Sequence, residues 1–322
     1  VILSRVADAL YWMGRYLERA ENVTRLLLVT DDVSTELQGL DEDLARAEWR
    51  ALAAVLPGPP VGEPAWPGPG AGAALALAHL RALTLDPAQP YGVLFSLRRA
   101  RENARTVREA ITLEVFVTLN ETYRELEGLA GRPPADRPAL RAALSDTHRG
   151  ILGTVGAIEH TLSRDAGWLF LKLGESLERV YRTAVILRAR VPDLLAADPK
   201  QDLPLAASRW RGLLRGLSSL ENYRQAVGAR IEPADILRFV VFDAHMPRSL
   251  RYGVGAVKGH LEQVAGRDGP SPPGRIVGRL AAELEYGGDE LLAEGDCVPF
   301  LERVLGDLSR AHDAVSALYF GV

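Results

Sequence analysis

Four side chains in the stretch YWMGRYLERAEN, residues 11–22, have types and spacing suited to chemistry: Arg15, Glu18, Arg19 and Asn22. Two guanidiniums offer planar forks that match the edge of a carboxylate or phosphate. A carboxylate beside them either neutralises them or serves as a general acid or base. On a 3.6-residue period, Ser4, Asp8, Tyr11, Arg15, Glu18, Asn22 and Arg25 step by four and three and form one stripe. Val6, Ala9, Met13, Leu17, Ala20 and Leu27 form another, almost opposite. A solvated helix face tends to be Lys/Glu-like, whereas this polar one carries Tyr11 and Asn22 on a helix rich in Trp12, Tyr16, Leu26 and Leu28. The spacing predicts a seam turned inward, either a satisfied structural network or a pocket for a planar anionic group.

Other helices carry comparable sets. The fourth holds Ser96, Arg99, Glu102, Asn103 and Thr106, the fifth Asn120, and the seventh Glu178, Arg179 and Arg182. Glu18, Arg19 and Asn22 are expected to face the interior beside the fourth helix, with Glu102 or Asn103 in contact. A second locus is FDAHMPRSLRYG, residues 242–253, where Pro247 suits the first turn of a helix. Arg248 and Ser249 would then sit among unpaired backbone N–H groups, where the helix dipole favours anions. If the seam is a site, Arg5, Arg15, Arg19, Arg25, Arg99, Arg105 and Arg248 outnumber Glu18, Glu102 and Glu178, and an anionic ligand is implied. No catalytic residue can be singled out.

Several chemistries lack their motifs. There is no Glu-x-x-His, as a carboxylate-bridged di-iron bundle would need, and the six histidines show no ligand-pair spacing. Neither a phosphate-binding loop nor a Gly-x-Ser-x-Gly elbow occurs. One cysteine, Cys297, rules out an intramolecular disulfide and a multi-cysteine zinc site, and suits a reducing compartment. No metal and no cofactor are expected.

The elements that must position these residues read as helices almost throughout, at about 3–38, 43–56, 73–85, 91–110, 111–129, 138–161, 164–191, 204–227, 233–242, 247–266, 274–286 and 296–319. Pro/Gly-rich stretches at 57–72 (with Trp66), 131–138, 191–204 and 266–274 separate them. The expectation is an all-α fold, a single large multi-helix bundle over 1–322. An offset of 160 lays LYWMGRYLERAENVTRLL over FLKLGESLERVYRTAVIL, sharing Gly-x-x-Leu-Glu-Arg. Two pseudo-repeated halves, 1–162 and 163–322, would follow. The net charge of −4 gives no case for nucleic acid, and 35 of the 38 basic residues are arginine, as genome composition alone can produce. No apolar run reaches membrane-spanning length and the first residues have no secretory pattern, so a bacterial-type cytoplasmic protein is expected.

Together SRVADALYWMGRYLERAEN, SLRRARENAR, LGESLERV and FVVFDAHMPRSL make the chain resemble the alpha-E family, a helical domain with a Glu-Arg motif, from Ser4 to the last helix. The matching positions are Ser4, Arg5, Arg15, Glu18, Arg19 and Asn22; Arg101, Glu102, Asn103 and Arg105; Glu178 and Arg179; and Pro247, Arg248 and Ser249. One departure is Glu175, where a basic residue is expected after Gly174. Such proteins are similar in being encoded beside, or fused to, circularly permuted ATP-grasp proteins and transglutaminase-like proteases. The resemblance implies an accessory partner or substrate-binding subunit of an ATP-grasp-type peptide or amide ligase system, with the protease as a further partner. Alternatives are a stand-alone enzyme acting on a small peptide or acyl substrate through Glu18 or Glu102, and a structural scaffold.

Overall fold

Capping chemistry marks where many of the helices start. Asp41 accepts from the N–H groups of Asp43 and Leu44 and opens α2 (Glu42–Val55). Thr112 caps α5 (Leu113–Gly131), and Asp136 with Pro138 starts α6 (Arg137–Thr161). Ser249 caps α11 (Leu250–Ala265), and Ser271 caps α12 (Pro272–Tyr286). Each is a short oxygen-bearing side chain satisfying an orphan N–H of the first turn. The remaining helices are α1 (Ser4–Gln38), α3 (Ala71–Leu85), α4 (Val93–Thr106), α7 (Ala166–Ala196), α8 (Leu203–Gly216), α9 (Leu220–Ala226), α10 (Pro233–Phe242) and α13 (Val298–Val315). A 3-10 turn, Arg108–Ala110, follows α4, and a π turn, Ser316–Phe320, follows α13.

The computed structural model describes residues 2–56, 58, 61, 71–196, 203–266, 269–288, 292 and 297–321; Trp66 lies outside them. Among the described residues there are thirteen α-helices and no strand, so the all-α expectation is met.

Several boundaries differ from the sequence reading, and three of them have a local cause or a proline to explain. The stretch 204–227 is two helices, because Ser218 takes a left-handed backbone (φ 50°) and Ser219 Oγ donates to the Leu214 carbonyl. The helix expected over 247–266 begins at Leu250. Asp243 Oδ1 accepts from the N–H groups of His245 and Met246, forming a turn that carries Pro247 and Arg248 outside the helix. Finally, α7 runs through Pro192 to Ala196.

The chain groups into two units. One comprises residues 16–163, in which α5 packs on α4 and α6, and α3 on α2, α4 and α6. The other joins residues 1–15 to 164–322, in which α7 packs on α11 and α13, with α12 beside both of these. The second half of the sequence thus takes the first turns of α1 into its unit.

Candidate functional site: the polar seam of the first helix

Between Ala7 and Leu27, only Asp8, Trp12 and Tyr16 keep partial exposure. A helix buried on nearly every side must satisfy its polar groups internally, because an unpaired buried charge is costly. The inward seam read from the spacing is therefore present. Glu18 is 4% exposed, Arg19 9% and Asn22 1%.

In the unit formed by residues 1–15 and 164–322, Gly14 and Gly174 let α1 and α7 meet backbone to backbone. A Cβ on Gly14 would stand 2.1 Å from the Leu171 carbonyl oxygen, and one on Gly174 would stand 2.0 Å from that of Tyr11. This closeness lets Arg15 reach Glu178: its Nε donates to Oε2 at 2.8 Å, with Nη2 2.7 Å from the same oxygen. Arg182 Nε donates to the other oxygen, Oε1, at 2.9 Å. Both oxygens of the fully buried Glu178 are thus committed to guanidinium. Burial disfavours the Arg15 cation, but Glu178 more than compensates and raises its pKa.

The network continues to α13. Tyr11, completely buried, is pushed up to about 12, chiefly by burial, with Arg15 opposing. Arg15 donates to the Tyr11 oxygen, and the Tyr11 hydroxyl shares a 2.8 Å hydrogen bond with His312 Nδ1. A parallel knot sits on α7, where Glu175 Oε2 receives Lys172 and Oε1 receives Arg179, each at 2.6 Å. Burial alone would raise the Glu175 pKa, but Arg179 and Lys172 hold it below the usual carboxylate value. The acid at the position expected to be basic thus serves as the neutraliser of two cations.

In the unit of residues 16–163 the seam is built from aromatic rings. The Arg19 guanidinium lies 5.1 Å from the Tyr16 ring centre and 5.2 Å from that of Tyr91. Arg99 approaches the same Tyr16 ring at 5.8 Å, and a hydrogen bond with Tyr16 is the main reason its pKa is raised. Arg99 also donates to Glu102 Oε2 at 3.1 Å, and both side chains are exposed. Stacking on two rings holds a guanidinium plane in place and suits a planar anion. Asn22 Oδ1 is buried without a hydrogen-bond partner.

The candidate residues do not converge. Arg5 is exposed at the start of α1, and Arg105 is exposed in the last turn of α4. Among the described residues neither Glu102 nor Asn103 forms a hydrogen bond or ion pair to α1. The reason is rotational, since Leu97, Ala100 and Ala104 take the core-facing side of α4. At 248–249 the structure corrects the placement expected in the first turn of a helix. Ser249 Oγ is occupied, accepting from the Tyr252 N–H and donating to the Asp243 carbonyl, and Arg248 precedes the helix.

Three participants were missed. Tyr91, just before Gly92, carries no periodic signal of its own. Asp31 is 2% exposed and held by Arg137 at 2.7 Å and Arg141 at 2.9 Å. Its signal was an acidic pair, Asp31-Asp32, one residue after the apolar LLLV of a buried helix. Glu21 pairs with Arg25 at 3.0 Å and His148 at 3.1 Å. Among the described residues, no group of three or more His, Cys, Asp or Glu is placed to hold a metal ion, and no helix is long and apolar enough to cross a membrane.

An all-helical protein whose buried first helix is tied down by arginine–carboxylate pairs is the class that this fold and seam define. The chain matches, over residues 2–320, the family described as "Alpha-E: A predicted alpha-helical domain with a conserved ER motif", and it belongs to that family. It is similar to uncharacterized proteins of Mycobacterium bovis and Mycobacterium tuberculosis, 28% identical over 304 residues. That match covers 90% of this chain and 33% of each relative, so the chain spans about a third of the length of the curated relatives it matches. No solved structure matches.

Proposed function

We propose that this domain is an accessory, non-catalytic subunit of an ATP-grasp-type peptide or amide ligase system, acting in the cytoplasm. It docks the ligase and holds an anionic group of the substrate at the Tyr91–Arg19–Tyr16–Arg99 ladder. The observation that carries this reading is the length of its relatives, in which the same helical region is one third of a longer polypeptide. A domain that recurs as part of a larger chain suits a partner role. The committed carboxylates agree: Glu178 and Glu175 spend both oxygens on cations, leaving neither free to move a proton. The Arg15–Glu178–Arg182 knot is scaffold under this reading, and a ligand would reach the ladder at its exposed end, Arg99. A transglutaminase-like protease would be a further partner.

The test is association of the purified chain with an ATP-grasp-type ligase from the same genome, measured without nucleotide, with ATP and with ADP. Association is expected in at least one state, with no turnover of ATP or amide by the chain alone. Failure to associate in every state overturns the partner reading, and turnover by the isolated chain would replace it with an enzyme.

A further inference from the structure

One side of α4 carries a row of arginines that, among the described residues, hold no carboxylate. Arg98, Arg101, Arg105 and Arg108 recur at intervals of three, four and three. Three stand on α4 and the fourth opens the 3-10 turn that follows. That spacing sets them along one side of the helix, next to its core-facing residues and away from the Arg99 side that meets Tyr16. Three of the guanidiniums are seated on rings: Arg98 at 5.8 Å from Phe95, Arg101 at 4.9 Å from Tyr123 and Arg108 at 4.5 Å from Phe116. Arg101 also donates to the neutral amide of Asn120 at 2.6 Å, and Arg105 stands exposed.

Two observations mark this row as incomplete. Among the described residues none of the four arginines forms an ion pair with Asp or Glu, although the chain has 42 acidic residues to 38 basic ones. Arginines elsewhere in the same unit are paired, as Arg137 and Arg141 are with Asp31 and Arg25 is with Glu21. The Arg98 Nε, moreover, is buried with no hydrogen-bond partner. A buried donor lacking an acceptor is destabilising, and so is a row of like charges within roughly 15 Å of helix. The ring attraction steadies three of the guanidiniums, and the N–H groups not buried or bonded to Asn120, those of the exposed Arg105 first, are left for an incoming acceptor.

We propose that this row docks an acidic segment of a partner polypeptide, with Asp and Glu carboxylates meeting the guanidinium edges about once per helical turn. The charge pattern favours a polypeptide over nucleic acid. Glu102 and Glu109 adjoin the row in sequence, and Glu127 bonds to Tyr123 beneath Arg101. A continuous phosphate backbone would be repelled by these carboxylates, whereas side chains spaced along a peptide can pass between them. The surface is independent of the ligase reading, and its test uses no ligase.

The probe is a labelled 16-residue peptide with glutamates at helical i, i+3 and i+4 spacing, titrated by fluorescence anisotropy at low salt. Its glutamine counterpart and a 16-nucleotide oligothymidylate are titrated in parallel. The glutamate peptide should bind, more weakly as salt rises. Arg105→Gln and Arg108→Gln should each weaken it on the order of tenfold, with unchanged melting. Arg230→Gln, in the other unit and paired with Glu232, should leave binding as it was. The proposal is overturned if the glutamate peptide does not bind, if its affinity survives both substitutions, or if the oligothymidylate binds more tightly.

Discussion

Gly14 and Gly174 stand 160 residues apart, and each lies against the carbonyl of the residue three positions before the other: Gly14 on Leu171, Gly174 on Tyr11. The pair relates α1 to α7 by a local exchange symmetry, and the shared Gly-x-x-Leu-Glu-Arg runs on from that crossing in both helices.

Replacing either glycine with alanine should therefore be severe. The clash is with backbone oxygen, which cannot swing away as a side-chain end can, so the helices must separate. We expect Gly174→Ala to cost about 3 kcal/mol. Gly259→Ala, where an added Cβ meets nothing within 4 Å in the middle of α11, should gain about 0.5–1 kcal/mol from helix propensity. Urea melts of the two variants read the difference, and equal effects would show that the close crossing is not what the position requires.

Removing the Glu178 charge leaves Arg15 and Arg182 buried with no anion between them. Glu178→Gln should lose about 3–5 kcal/mol. Arg15→Met in the same background should then cost much less than it does alone, since the guanidinium it removes has already lost its partner. A double-mutant cycle by denaturant titration measures the coupling, and additive losses would contradict the ion pair.

Acid should loosen the α7 knot in a defined direction. The folded-state pKa of Glu175 lies below its ordinary value, so its contribution is complete above that ordinary value, near 4.5, and is lost as pH falls through the folded one. Thermal melts from pH 7 down to pH 3 should show a falling melting temperature at the acid end. In Glu175→Gln the acid-end fall should be shallower, from a lower starting point.

Arg19 tests the ladder. Arg19→Lys keeps the charge but loses the planar group seated between Tyr16 and Tyr91, and about 1–2 kcal/mol of stacking with it. Both Arg19→Lys and Arg19→Ala should remain folded and fail to associate with the ligase. If the lysine variant associates like the unaltered chain, the bidentate role is wrong; if both unfold, Arg19 is part of the scaffold.

Much of this was legible in residue spacing. The four-and-three stepping from Ser4 to Arg25 located a polar stripe, and the mixture of Asn22 and Tyr11 with large apolar neighbours showed that it was not a wet one. Partner identity was not legible, because Arg15 finds Glu178 only through the two glycines. The break at Ser218 was missed because periodicity runs through GLSSLE without a proline. The start of α11 was displaced because a Pro at the first turn and a Ser cap two residues later are competing signals, and the Asp243 turn decides between them.

The burial of most of α1 also sets an order of events during synthesis. The first turns of this helix leave the ribosome long before Gly174 and Glu178 exist. At ~5–20 residues per second, the interval is roughly 8–30 s. During it Tyr11, Met13 and an uncompensated Arg15 have no native surface to cover them. The nascent chain at that stage is a natural client for a chaperone, and a ribosome pause before Glu178 would prolong its exposure to aggregation.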